Sequence, residues 1–374
     1  MGEIVSIKEL LEGIEVEWIT LGNEDFIEVA NSGRKPVKAS LRILGDNPYY
    51  GANNIQDYVD GYTHDGIYVL IAEDGSASLE NYSIQYTNGK FWANNHVHVI
   101  RGKEKINTRF LYHYLCVVNF IPYLTGGGRA KLTKGKMLEI PIPIPPLHIQ
   151  SKIVQVLDNF TELTAELTAE LTARKKQYSY YRDKLLRFGN DVEFKSLGEL
   201  AENLDAKRKP ITSGLRESGK IPYYGASGIV DYVKDYIYDG DFLLVSEDGA
   251  NLIARNTPIA FSISGKNWVN NHAHVLKFDT YAERRFIEIY LNSIDLTPYI
   301  SGAAQPKLNK KNLNSIKVPN PLLSEKERIV NILDKFDTLT NSISEGLPRE
   351  IKLRQQQYEY YRDLLLTFPK GEKI

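Results

Sequence analysis

The chain has 374 residues, 42% of them hydrophobic and 25% charged, which is ordinary globular material, long enough for two domains with real cores and not a disordered chain. A formal net charge of −1 excludes a protein that coats polyanions indiscriminately, while leaving room for local basic patches. The single cysteine, Cys116, excludes a disulfide framework and a cysteine metal cluster, and no apolar run approaches the ~20 residues of a membrane span, so a soluble, cytoplasmic chain is expected.

In chain order, the first ~130 residues alternate apolar and polar positions between Gly and Asn turns, the pattern of strands. A basic cluster, Arg34, Lys35 and Lys38, comes early, followed by Asp46-Asn47-Pro48-Tyr49-Tyr50. Ile67 to Ala72 reads as a strand ending in the turn Glu73-Asp74-Gly75, and Ser76 to Asn88 carries Asn81 and Gln85. His96 and His98 have the spacing of two that puts residues on one strand face. A helix capped by Asn107 or Thr108 interrupts the strands. Then come Gly126-Gly127-Gly128 and the basic residues Arg129, Lys131, Lys134 and Lys136, with no acid from Thr125 to Leu138. Ile140 to Pro146 alternates isoleucine with proline, which predicts a stiff, extended hinge unable to enter a sheet interior.

After the hinge the period turns helical: Ile153, Leu157, Phe160, Leu163, Leu167, Leu171, Tyr178, Tyr181, Leu185 and Phe188 are spaced by threes, fours or sevens, an apolar seam. Within it, residues 164–173 read TAELTAELTA. Each four-residue unit adds one turn and a remainder, lengthening a helix by ~6 Å and rotating the residues beyond it by ~40°. Glu162, Glu166 and Glu170 form a like-charged line on it, which Lys352 and Arg354 of an antiparallel partner helix are expected to offset.

The chain then repeats itself. Arg34-Lys35-Pro36, Pro48 to Ala52 and Glu73-Asp74-Gly75 return 174 residues later as Arg208-Lys209-Pro210, Pro222 to Ala226 and Glu247-Asp248-Gly249. Trp92 to Val99 returns at 176 as Trp268 to Val275, and Tyr178 to Asp183 at 180 as Tyr358 to Asp363. The second copy has its own basic clusters, Lys207, Arg208, Lys209 and Lys307, Lys310, Lys311. It has a helix at Tyr281 to Ser293, a hinge at Val318 to Pro321, and a seam from Ile329 to Phe368 that Gly346 and Pro348 should kink or restart. Because Val16-Glu17-Trp18 resembles Val192-Glu193-Phe194, the repeat is nearly cyclic.

No catalytic constellation accompanies this repeat. Asp46 to Tyr50 is similar to the signature of amino-methyltransferases, but its internal copy, Gly219 to Tyr224, has neither Asp nor Asn, and no cofactor-binding glycine loop occurs. The paired histidines have no third ligand at motif spacing, so hydrogen-bonded histidines are expected rather than a metal site. Glu73-Asp74-Gly75 is explained by an Asp-Gly turn. The basic patches recur at equivalent points and suit phosphate contacts, which position a protein on DNA without specifying sequence. Sequence readers are expected where the copies differ. Arg129 faces Gln305, and the former suits guanine and the latter adenine; Asn81 and Gln85 are exchanged for Asn251, Arg255 and Asn256.

Two similar units, each followed by a proline-rich hinge and a long helix, resemble the specificity subunit of type I restriction-modification systems. The resemblance covers essentially the whole chain, and the TAEL repeats, Gln177 to Asp183, Gln357 to Asp363 and Asp337 to Glu350 look like the IC subgroup. It implies an α+β fold with two target recognition domains of mixed sheet and helices (1–146 and 189–322) and two long helical spacers (147–188 and 323–370) packed as an antiparallel coiled coil. It further implies a non-catalytic subunit whose domains each read half of a bipartite double-stranded DNA site. Two methyltransferase subunits would dock on the helical regions, where Tyr178, Tyr181, Tyr358 and Tyr361 either pack the helix pair or offer aromatic contacts, and restriction subunits would join that core. The chain itself would carry no cofactor; S-adenosylmethionine, ATP and Mg²⁺ would belong to the partners. The competing readings are a stand-alone nuclease or methyltransferase, for which no motif is present, and a purely structural coiled-coil scaffold.

Overall fold

The computed structural model describes residues 11–126, 130–302 and 305–369. Gly127, Gly128, Arg129, Ala303 and Ala304 lie outside the described residues. The chain divides into two compact units, Met1–Thr168 with Glu350–Ile374, and Ala169–Arg349.

In the first unit the strands are β1 (Glu17–Thr20), β2 (Ile27–Val29), β3 (Leu44–Tyr50), β4 (Ile55–Val59), β5 (His64–Ala72), β6 (Ile84–Ala93) and β7 (Val97–Gly102). Six of them form one sheet in the order β2-β7-β5-β6-β3-β4. Pairing is antiparallel except between β3 and β6, which run parallel with Tyr49 opposite Trp92. The central position of β5 follows from its composition: Tyr68 to Ala72 is a continuous apolar run, and all five residues are buried. Helix α1 (Thr108–Leu115) starts at Asn107, whose side chain accepts hydrogen bonds from the amides of Arg109 and Phe110. After α2 (Lys134–Leu138) comes β8 (Pro141–Ile144). The hinge is therefore not a free linker: it pairs antiparallel with β1, Glu17 opposite Ile144, in a two-stranded sheet that has no interior position for proline to disrupt. Ile140 and Ile142 are buried in the domain core.

Helix α3 (Leu147–Leu185) runs unbroken through the TAEL units. Along them the leucines are half-buried and nearly every Thr, Ala and Glu is exposed. The threonine hydroxyls of Thr161 and Thr164 bond to the carbonyls of Leu157 and Phe160 one turn back, so they cost the helix little.

The second unit repeats the plan with β9 (Phe194–Ser196), α4 (Leu197–Leu200), β10 (Glu202–Asn203), β11 (Ser218–Gly225), β12 (Gly228–Val233), β13 (Tyr238–Asp239), β14 (Phe242–Ser246), α5 (Asn251–Ala254), β15 (Ala260–Ile263), β16 (Lys266–Val269), β17 (Ala273–Lys277), α6 (Tyr281–Ser293), α7 (Lys310–Ser315), β18 (Lys317–Pro319), α8 (Leu323–Asn341) and α9 (Leu347–Leu366). Tyr223 again lies opposite Trp268 in the parallel pair, and the hinge strand β18 pairs with β9. Here the large sheet reads as two four-stranded sheets, β10-β17-β14-β15 and β12-β11-β16-β13. The division falls at Gly240 and Gly265, whose φ of 140° and 75° only glycine adopts freely. Gly66 and Gly89 hold the same positive-φ positions in the first unit, opposite each other in β5 and β6, where the strands continue through.

Each unit closes on a helix pair. In the first, Phe160 of α3 stacks on Tyr361 of α9 with centroids 5.2 Å apart, above a core of Ile149, Ile153, Leu157, Leu365, Leu366 and Phe368. In the second, Tyr178 and Tyr181 of α3 pack on Phe336 of α8 at 6.4 and 5.7 Å, beside Leu186, Ile329 and Leu333. The helical run of the second copy breaks between α8 and α9, where a side chain on Gly346 would strike the Thr338 carbonyl oxygen. Among the described residues of the first unit, neither Glu162 nor Glu166 forms the expected ion pair with Lys352 or Arg354. Arg354 pairs with Glu350 on its own helix and Glu170 with Arg174 on its own, since partners one turn away need no reach across a seam.

Candidate nucleic-acid interface

At one end of each sheet the turns are tied together by a carboxylate. Glu73 follows β5; its Oε2 accepts a hydrogen bond from Arg34 at 2.6 Å and its Oε1 one from Lys131 at 3.0 Å. Its backbone N–H donates to the His96 carbonyl at 2.8 Å, and its own carbonyl accepts from Leu132 N–H at 2.7 Å. In the second unit Glu247 does the same with Arg208 at 2.5 Å, Lys307 at 3.1 Å, the His272 carbonyl at 2.9 Å and Leu308 N–H at 2.7 Å. Burial pushes both carboxyls up, but the hydrogen bonds from arginine and lysine, with a histidine nearby, outweigh it and hold both below the usual range.

Each arginine reaches further, Arg34 to the Val97 carbonyl and Arg208 to that of Ala273. Behind them sits a buried histidine. His98 Nε2–H donates to the Leu132 carbonyl at 2.7 Å while Nδ1 accepts from the Asn31 amide at 3.0 Å. His274 Nε2–H donates likewise to Leu308, but its Nδ1 meets the Asp205 carboxylate at 2.6 Å. His96 and His272 precede the strands, are exposed, and pair with Asp74 and Asp248. The histidines of each pair therefore do not share a strand face; one holds the interior and the other the rim. No group of three His, Cys, Asp or Glu placed to hold a metal occurs among the described residues.

The tip of the β3–β4 hairpin joins this end. Asn53 bonds to the Gly75 carbonyl and the Ala77 amide, and Gln85 donates to the carbonyls of Gly51 and Ala52. A short bridge between Thr125 and Lys131, and between Ser301 and Lys307, closes the base of the small-residue loop in each unit. In the first unit five segments distant in sequence, at Arg34, Asn53, Glu73, His96 and Lys131, thus converge on one rim.

The candidate residues separate accordingly. Lys35, Lys38, Lys134, Lys207, Lys209, Lys310 and Lys311 are exposed, and Lys136 pairs on the surface with Glu139. Asn81, Asn256 and Gln305 are exposed. Arg34 and Arg208, by contrast, turn inward, with side chains 18% and 14% exposed. Lys131 and Lys307 are committed to the same carboxylates. Gln85 is spent on the hairpin tip, and Asn251 closes its own loop through both the N–H and the carbonyl of Thr257. Arg255 sits half-buried with φ of 51° and lines a cavity of about 540 Å³ with Tyr178, Arg182, Asn256 and Arg285. Arg129 lies outside the described residues. Glu73 and Glu247, read from sequence as turn residues only, are the missed members. Their signal was the return of an arginine and a glutamate together at one offset.

On the helices, Tyr178, Tyr358 and Tyr361 are half-buried in the pairing cores, and Tyr181 stacks on Phe336. The freely exposed aromatics are their neighbours Tyr180 and Tyr360, 62% and 53% exposed, each edge-on to the following tyrosine at 5.4 Å. Each domain is fastened to its helix by an equivalent arginine, Arg109 to Asp158 and Arg285 to Asp334.

Residues 15–174 and 189–353 each match the type I restriction modification DNA specificity domain. A putative type I restriction enzyme specificity subunit of Haemophilus influenzae is 48% identical over 387 aligned positions, covering 97% of this chain and 98% of that protein. The EcoR124I/EcoR124II specificity subunit of Escherichia coli is 33% identical over 429 positions and covers both chains fully, 100% of each. Among solved structures, the S subunit of a type I restriction-modification system from M. genitalium gives a TM-score of 0.64 at 16% identity, covering 96% of this chain and 98% of its own. At that identity the likeness speaks for the fold.

Proposed function

The chain belongs to the type I restriction-modification DNA specificity family, and on that premise we propose how its two units divide the reading of DNA between them. It is the sequence-specific, non-catalytic recognition subunit of such a complex, with one recognition domain in each unit and one half of a bipartite site read by each. The observation that carries the division of labour is that the two rims share their anchors and differ at their tips. Shared elements suit what is common to both half-sites, the phosphate backbone, and differing ones suit the bases.

The exposed lysines Lys35, Lys38, Lys134, Lys207, Lys209, Lys310 and Lys311 are assigned to phosphates. Asn81 and Arg129 in the first unit, and Arg255, Asn256 and Gln305 in the second, are assigned to base edges. Arg34, Lys131, Arg208, Lys307, Gln85 and Asn251 shape the loops instead. The recognition domains are taken as 1–146 and 189–322, with 147–188 and 323–370 as the helical spacers. Two methyltransferase subunits dock on the helices, with Tyr180 and Tyr360 as the aromatic contacts, and restriction subunits join that core. S-adenosylmethionine, ATP and Mg²⁺ serve those partners. No helix of the described residues is long and apolar enough to cross a membrane, which accords with a cytoplasmic place beside DNA.

The test is to supply the chain with its methyltransferase and map methylated sites across a genome. A two-part motif is expected, and Gln305→Ala should relax preference in one part only. Uniform weakening at every position would make Gln305 a phosphate-side contact, and methylation without any motif would defeat the reading.

A further inference from the structure

Two acids stand at equivalent points of the rims, Glu73 in one unit and Glu247 in the other, and each bonds to several segments through both its side chain and its backbone. We infer that Glu73 and Glu247 are positioning residues for base recognition, each setting the height and register of the reading loops of its own unit; the inference rests on the reading proposed above.

The two sites agree contact by contact. The carboxylate takes an arginine at 2.6 and 2.5 Å, a lysine at 3.0 and 3.1 Å, and lies 3.7 Å from the Nδ1 of a buried histidine in both units. The backbone of the same residue fixes the turn before β7 or β17 on one side and the strand leaving the small-residue loop on the other. One residue therefore couples three rim segments, and the side chain is only 15% exposed in one unit and 11% in the other.

What these anchors hold is different in each unit. Past Glu73 come Ser76 to Tyr82, built on Asn53 and Ser76 hydrogen bonds; past Glu247 comes helix α5 and the loop closed by Asn251. An identical base under unlike tips is what a scaffold needs if bases are read at fixed height above a common backbone. A hydrogen bond to a base edge tolerates errors of only a few tenths of an ångström, so slack at the anchor costs discrimination before it costs attachment. Glu73 engages both Arg34 and Lys131 at short range, and Glu247 both Arg208 and Lys307; one negative charge does not cancel two positive ones, but it fixes where both cations point. On the proposed reading their place is at the anchor and not on a phosphate.

The experiment uses the full chain assembled with its methyltransferase. Glu73→Gln keeps shape and loses the charge that holds Arg34 and Lys131. Discrimination between correct and incorrect bases should fall about tenfold in the half-site read by the first unit, with the other half-site and the gap unchanged; Glu247→Gln should do the converse. Lys131→Gln is the milder companion, since that side chain is 46% exposed. It should relax the same half-site while leaving the slope of log affinity against log salt in place. A slope reduced by about 0.9 would make Lys131 a phosphate contact and overturn the anchor. Equal relaxation of both half-sites, or none in either variant, would also overturn it. Should the unsubstituted complex show no bipartite motif, the proposed function fails first, and that outcome is distinct from a wild-type motif that the variants leave intact.

Discussion

Asn31 and Asp205 stand at equivalent points of the two rims, yet one offers a neutral amide and the other a carboxylate to the buried histidine beside it. The pair illustrates how polar burial is made tolerable here: the Nδ1 of each buried histidine is matched to a polar group from a different segment, Asn31 in one unit and Asp205 in the other. Asp205 is pushed up by burial, but its bond to His274 prevails and holds it below the usual value of 3.8. That contribution to stability is present above 3.8 and lost as pH falls further. His98 and His113 in the first unit act at higher pH. Burial lowers His98 and His113 below their ordinary 6.5, against the upward pull of the Leu132 carbonyl on one and of Asp158 on the other. A histidine that resists protonation when folded contributes stability fully present above 6.5 and lost as pH falls through its lowered value. The chain should therefore melt roughly 2–4 °C lower at pH 5.5 than at pH 7.5, and His113→Gln should flatten that difference. A wild-type melting temperature unchanged across the interval would refute the assignment.

The helices show which part of an element a sequence displays. Tyr178, Tyr181, Leu185 and Phe188 follow the helical period because they form the seam, so the same regularity that marked them as notable also packed Tyr178, Leu185 and Phe188 half-buried against the core and stacked Tyr181 on Phe336. Exposure at Tyr180 and Tyr360 breaks that period. Tyr180→Ala should leave melting unchanged while weakening association with the methyltransferase. Tyr181→Ala should cost stability, about 0.5–1.5 kcal/mol for the lost Phe336 stack beyond the area term. Calorimetry beside a pull-down measurement separates the two, and equal effects on both readouts would remove the distinction. Local pattern also located β5, α6 and the break at Gly346 and Pro348, since each depends on residues within a few positions. It could not show that Arg34 belongs to Glu73, nor that the proline hinge is a strand paired with Glu17 to Thr20. Those facts depend on segments about 40 and 120 residues apart that only the folded sheet brings together.

At the scale of the whole molecule, the repeat matters because it leaves the two units chemically parallel and the TAEL segment free of their cores. The boundary between units falls inside that segment, between Thr168 and Ala169, and its Thr, Ala and Glu side chains are largely exposed. The interior residues of α3 lie outside it, at Ile149, Gln150, Ile153 and Leu157 and again at Leu186 beyond its end. Deleting one TAEL unit therefore removes ~6 Å of helix and ~40° of rotation without removing a residue from either rim or either core. The half-site motifs should survive intact and the gap between them should shorten, with a modest loss of stability from re-registering the half-buried leucines. Genome-wide methylation mapping of the deletion reads both quantities at once. Unaltered motifs at an unaltered gap would show that span is set elsewhere, and altered motifs would show that the rims are not independent of the helix that joins them.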